Sequence, residues 1–232
     1  PPKTFDEIRD ALGNLDGARA VLLTGAGRAF CSGADVAGGS ITKADPGAAT
    51  FQALSENYNP TMLAIADLPI PIVAAVRGPA AGIGASLALA CDFVVASDTA
   101  FFLEAFANIG LVPDGGASWR LPRLIGRARA MEMALLGERV AADKALAWGL
   151  IHKVVGDADL DADALALATR LAAGPTRALG LARRAINAAL DSDYPTALAR
   201  EASDQRSAMG SPDSAEGARA FLEKRKPAFT GA

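Results

Sequence analysis

The stretch VRGPAAGIGASLALACD, residues 76–92, decides how the rest of the chain is read. An apolar run ends at Val76, glycines at positions 78, 82 and 84 turn the backbone, and an Ala/Leu-rich segment follows. The pattern predicts a buried strand, a tight turn and a helix over residues 84–90 with no polar face, which must therefore lie inside the molecule. Its apolar run is too short, and too interrupted by Pro79 and three glycines, to cross a bilayer. The first N–H groups of a helix have no intrahelical partner and sit at its positive end, so the turn at Gly82 to Gly84 suits a developing negative charge. Close packing of a small-residue helix on a strand accounts for the same residues.

Outward from this stretch, AVLLT (20–24), PIVAAV (71–76), FVVA (93–96) and IHKVV (151–155) are short and apolar, as expected of strands buried on both faces. A further helix is expected over residues 128–136. Beyond residue 157 the character changes, and residues 158–173, 175–190, 194–209 and 212–226 read as consecutive helices. Gly174-Pro175 ends one and opens the next, and Ser211 is placed to cap the last, with Asp213 favourable at its positive end. The expected organisation is an α/β core over 1–156 and a helical region over 157–232.

The 232 residues are 51% hydrophobic and 21% charged, with a net charge of −3. That is the balance of a soluble globular protein, and it lacks the basic surplus of a nucleic-acid or membrane-surface partner. Two cysteines, Cys31 and Cys91, make neither a disulfide framework nor a metal cluster, and a reducing cytoplasm is expected. No metal site is expected. The opening residues are charged and helix-like, unlike a signal peptide.

Two other glycine-rich turns matter. TGAGRAFCSGADV (24–36) is no dinucleotide fingerprint, because Phe30 stands where the third glycine belongs, and no Gly-Lys-Ser/Thr closes it as a phosphate loop. It leaves backbone N–H groups beside Gly33 unobstructed, although, taken alone, a plain tight turn is the favoured explanation. GLVPDGGASWR (110–120) contains one acid, Asp114, in an Asp-Gly turn.

Taken in order, AVLLTGAGRAFCSGADV, AAVRGPAAGIGASLALACD with FVVAS after it, GLVPDGG and SPDSAEGARAFLEKRKPAF resemble the enoyl-CoA hydratase/isomerase, or crotonase, superfamily. The resemblance implies an α/β fold with a crotonase-like ββα spiral core and a C-terminal helical trimerisation region. It also implies acyl-CoA thioester substrates, assembly as trimers or hexamers, and no cofactor other than the coenzyme A carried by the substrate. By motif position, the backbone N–H groups of Ala34 and Ile83 would form the oxyanion hole. Ile83 stands where the family often has glycine and would narrow the pocket. Contacts to the substrate and its CoA would come from Arg28, Ser32, Gly33, Asp35, Val36, Gly82, Phe221 and Lys224.

The chain departs from the hydratases of that family, which use two glutamates to add water; Ser86 and Phe106 stand at those positions. Asp114 remains as the base. GLVPDGG, Trp119, LPRLIGRARAME and WGLI look most like the branch containing the ring-epoxide isomerases of phenylacetyl-CoA breakdown. An isomerase is therefore expected, with Asp114 shuttling a proton and burial beside Phe106 and Val112 raising its pKa. The alternatives are an enoyl-CoA hydratase of fatty-acid or aromatic-acid degradation and a non-catalytic acyl-CoA-binding paralogue.

Other residues have plainer readings. His152 and both cysteines are expected to be structural, and Glu104, on an expected strand, to lie at the surface. Arg120, Arg123, Arg127 and Arg129 suggest a solvated or interface face. Lys224, Arg225 and Lys226 suit a helix C-terminus. Residues 38–59 are expected to form a mobile wall of the pocket. The family's opening strand hairpin would precede FDEIRDALGNL.

Overall fold

The computed structural model describes residues 2–35 and 42–232. Among the described residues seven strands, β1 (Val21–Thr24), β2 (Ile72–Val76), β3 (Pro79–Ala81), β4 (Phe93–Ser97), β5 (Phe101–Leu103), β6 (Val140–Ala141) and β7 (Lys153–Val155), sort into two sheets. The first is parallel throughout, in the order β1-β2-β4-β7. The second has the order β3-β5-β6, parallel between β3 and β5 and antiparallel between β5 and β6.

Ten α-helices accompany them among the described residues: α1 (Pro2–Gly13), α2 (Pro46–Ala53), α3 (Asn59–Asp67), α4 (Ile83–Ala90), α5 (Ala117–Met131), α6 (Ala142–Ala147), α7 (Leu160–Ala172), α8 (Thr176–Ala189), α9 (Tyr194–Met209) and α10 (Pro212–Leu222). The chain gives one strand to each sheet and then a helix, first as β2-β3-α4 and again as β4-β5-α5. This is the expected ββα repeat. The strands of the second sheet are only two or three residues long and carry too little periodicity to be seen in the sequence.

Strand β2 shows why its residues are all apolar. Ile72, Ala74 and Val76 point into the main core, while Val73 and Ala75 point the other way, onto Leu160, Ala164 and Ala168 of α7. Alternate side chains on a strand face opposite sides, so a strand covered on both faces has no polar positions left. Helix α4 lies within the core, and every one of its eight residues is buried.

Of the stretch expected to be mobile, residues 38–41 lie outside the described residues, and from Pro46 onward the chain is helical. Asp45 caps α2, its Oδ1 accepting the Ala48 N–H at 2.9 Å, and a π-type turn over Leu54–Tyr58 leads into α3. Tyr58 and Phe5 meet edge to face at 4.6 Å, which ties α1 to this segment.

Arg183 of α8 holds several elements together. Its Nε donates to both oxygens of Asp92 at 2.7 Å. Its Nη atoms donate to the carbonyls of Ile65, Ala66 and Leu68, where α3 ends. Asp92 in turn accepts the N–H of Ile72, at the start of β2.

Candidate active site

Three turns converge at the N-terminus of α4. Gly82 has φ +54°, in the region that favours glycine, and its N–H donates to Leu103 O at 2.8 Å. Ile83 follows as the first residue of α4 and is buried. The loop after β1 is stitched to this turn: Cys31 bridges Ala80, and Ala81 N–H donates to Cys31 O at 2.9 Å. A Cβ on Gly84 would stand 2.4 Å from Cys31 O, and one on Gly33 (φ +98°) would stand 3.0 Å from Ala81 O. The backbones bearing Ala34 and Ile83 are therefore laid side by side. Ser32, Gly33 and Ile83 line a cavity of about 270 Å³ whose other walls include Phe5, Phe30 and Tyr58.

The third turn brings Asp114. Ser86 on α4 donates its hydroxyl to Asp114 O at 2.9 Å. The next residue, Gly115 (φ +59°), is so close to α4 that a Cβ there would stand 2.4 Å from Ile83 Cδ1 and 2.8 Å from Ser86 Cβ. The carboxyl of Asp114 is partly buried, and its Oδ1 has no hydrogen-bond partner among the described residues. Burial pushes the group up to about 6. The expected contribution of Val112 is corrected, because that side chain is 79% exposed, whereas Phe106 is buried.

Glu104 is a larger correction. It is fully buried rather than at the surface, and neither carboxyl oxygen has a hydrogen-bond partner among the described residues. Burial first, and the charge of Asp114 second, push it up to about 8. The Tyr58 phenol is also raised, by burial first and then by Asp114 and Cys31. The sequence held little sign of Glu104, because an acid after a short strand is ordinarily solvated.

The remaining expected contacts are dispersed. Arg28, Ser32 and Asp35 are exposed, and Val36 lies outside the described residues. Phe221, near the end of α10, is 83% exposed; Lys224 lies just beyond that helix with φ +54°. Neither lines the cavity. His152 packs its ring edge to face on Phe93, and burial pushes the Cys91 thiol up to about 12, as suits structural residues. Arg123 stacks on Trp119 and bonds Asp191 at 2.9 Å, while Arg225 pairs with Glu216. Among the described residues no group of three or more His, Cys, Asp or Glu side chains is placed to hold a metal ion.

Residues 1–232 match the enoyl-CoA hydratase/isomerase family. The chain belongs to that family. It is 47% identical over 226 residues to a Rhodobacter capsulatus protein named "Probable enoyl-CoA hydratase", an alignment covering 97% of this chain and 86% of the relative. It is 46% identical over 216 residues to the 1,2-epoxyphenylacetyl-CoA isomerase of Escherichia coli K12, covering 93% and 82%. Among solved structures, an enoyl-CoA hydratase from Bacillus anthracis superimposes with a TM-score of 0.93 at 33% identity, over 99% of this chain and 89% of that one. The crotonase fold and membership of an acyl-CoA-binding family of enzymes, of isomerase or hydratase type, follow. Among the described residues no helix is long and apolar enough to cross a membrane.

Proposed function

We propose that this family member is an acyl-CoA isomerase in which the N–H groups of Ala34 and Ile83 hold the thioester oxygen and Asp114 moves the proton. The observation that carries the reading is the mounting of Asp114: a partly buried carboxyl, its Oδ1 without a hydrogen-bond partner among the described residues, on a loop packed against the first turn of α4. Removing a proton α to a thioester places charge on the carbonyl oxygen. Each fixed N–H donor aimed at that oxygen contributes roughly 3 kcal/mol to the transition state.

With a 3-enoyl thioester, the Asp114 carboxylate takes a proton from C2, and the C3–C4 double bond becomes conjugated with the enolate. The resulting carboxylic acid then returns the proton to C4, leaving the double bond between C2 and C3. One acid–base group is sufficient, and the enzyme ends as it began. No cofactor enters beyond the coenzyme A of the substrate. Arg28 and Lys224 supply charge for the CoA phosphates, and Ser32, Gly33, Asp35, Val36, Gly82 and Phe221 complete the substrate contacts. Identity with the Escherichia coli isomerase favours an aromatic or ring-epoxide acyl group and a place in phenylacetate degradation.

Residues 1–156 form the unit bearing the site, and 157–232 the unit for assembly into a homotrimer or hexamer. Apolar residues exposed on the late helices and just beyond, Ile186, Leu190, Leu198, Met209, Phe221 and Leu222, support that division. A solution mass equal to one protomer would refute the assembly. The two unpaired thiols fit a reducing cytoplasm.

The test is incubation with a 3-enoyl-CoA in heavy water, followed by mass spectrometry and NMR of the thioester. Double-bond migration with deuterium uptake is expected, at the same rate in the presence of EDTA. A 3-hydroxyacyl product would instead establish hydration. Recovery of unchanged substrate, with no exchange at C2 for either the 3-enoyl or a ring-epoxide thioester, would leave only binding.

A further inference from the structure

The proton shuttle just described makes no use of Glu104. This residue follows β5, whose Leu103 carbonyl receives the Gly82 N–H, so its backbone adjoins the turn that presents Ile83. Asp114 is held against the same turn, through Gly115 packed on Ile83 and Ser86. Glu104 is 0% exposed, and both of its carboxyl oxygens, like Asp114 Oδ1, are buried without a hydrogen-bond partner among the described residues. Among the described residues no Lys, Arg or His forms an ion pair with either acid. The charged group acting on Glu104 is Asp114, and the Tyr58 phenol in turn feels Asp114.

Burying a carboxylate with neither a cation nor a donor is costly, and two such groups close together do not both ionise. Of the two, the partly exposed group carries the charge more cheaply, and the sealed one retains its proton. We propose that Glu104 and Asp114 form a carboxyl pair carrying one negative charge, in which Glu104 is a positioning residue that holds the proton and leaves Asp114 as the base. The proposal rests on the reading of Asp114 as the proton shuttle. It gives the site an upper pH boundary. Once Glu104 ionises, near 8, a second negative charge stands beside the turn where the enolate forms, and turnover falls.

The experiment is the pH dependence of kcat for double-bond migration in the wild type and in Glu104→Gln, whose neutral amide imitates the protonated acid. The wild type is expected to lose about tenfold between roughly pH 7.5 and 9.5, while Glu104→Gln matches it near neutrality and loses less than about twofold over the same range. An alkaline limb unchanged by Glu104→Gln would overturn the proposal.

Infrared spectroscopy of the wild type decides the matter even if Glu104→Gln fails to fold. A protonated carboxyl band is expected at about pH 7 and is lost near 8; its absence at neutrality would overturn the pair. In Asp114→Asn the neighbouring charge is gone, so the band should disappear at a lower pH than in the wild type; an unshifted band would also overturn the pair. Full turnover by Asp114→Asn would remove the shuttle assignment alone, because the infrared shift speaks to Glu104 without reference to catalysis.

Discussion

Replacing Asp114 with Asn should lower kcat for double-bond migration by about 10²- to 10⁴-fold, the usual worth of a positioned base. KM should change little, because the N–H groups of Ala34 and Ile83 belong to the backbone and remain in place. Asparagine keeps the size of the side chain but cannot accept the proton. The wild-type profile should carry the same message from the acid side. The base must be ionised, and burial holds Asp114 up to about 6, so turnover should fall roughly tenfold per pH unit below that value.

The stability consequence has a definite sign. A carboxyl whose folded pKa is raised contributes stability below its unfolded pKa, and that contribution is lost as the pH rises through the folded value. At neutral pH the ionised Asp114 is therefore a burden on the fold, and Asp114→Asn should melt no earlier than the wild type. Loss of turnover would then report chemistry rather than unfolding. Turnover within threefold of the wild type would eliminate Asp114 as the base.

Arg183→Ala should produce the largest loss of stability, about 3–5 kcal/mol, by thermal or denaturant unfolding at neutral pH. The side chain is 6% exposed, and truncation strands a carboxylate together with three carbonyls. Asp92 would be left in place with only the Ile72 N–H to answer it. Arg183→Lys should recover only part of the loss, because one ammonium cannot replace a planar fork that reaches two oxygens of Asp92 and the end of α3 together. A loss below about 1 kcal/mol would show that solvent reaches these groups and compensates them.

The parts of this fold legible in the sequence are those whose physics is local. Strands β2 and β4 announce themselves because a strand covered on both faces admits almost only apolar residues, the edge strands β1 and β7 by short apolar runs that end on or begin with an exposed residue, and α4 because a core helix has no polar side. Ser211 before Pro212 marks a helix start in the sequence and in space alike, with its hydroxyl accepting the Ser214 N–H. The glycines at 33, 82 and 115 mark turns, and the structure brings those turns together.

What escaped reading depends on distant partners. The second sheet exists because β3, β5 and β6 pair with one another, not because of any pattern within two or three residues. Arg183 looks like any arginine on an Ala-rich helix until Asp92, 91 positions away, is seen to face it. Glu104 resembled a surface acid because nothing adjacent in the chain reveals how thoroughly it is enclosed. Asp45-Pro46 was a usable signal, an acid before proline at a helix start, and residues 46–58 could have been read as helical from it.

The hydroxyl of Ser86 and the missing side chain of Gly115 have a consequence for how such an enzyme can diverge. They fasten the loop bearing Asp114 to the helix that begins at Ile83, and that helix is enclosed along its whole length. The cavity beside Ile83 takes other walls of separate origin, Phe5 of α1 and Tyr58 ahead of α3. If the proposed reading holds, changes in those walls would alter which acyl groups are admitted without shifting Asp114 against Ile83. Substrate range and reaction geometry are thus inherited on different parts of the chain.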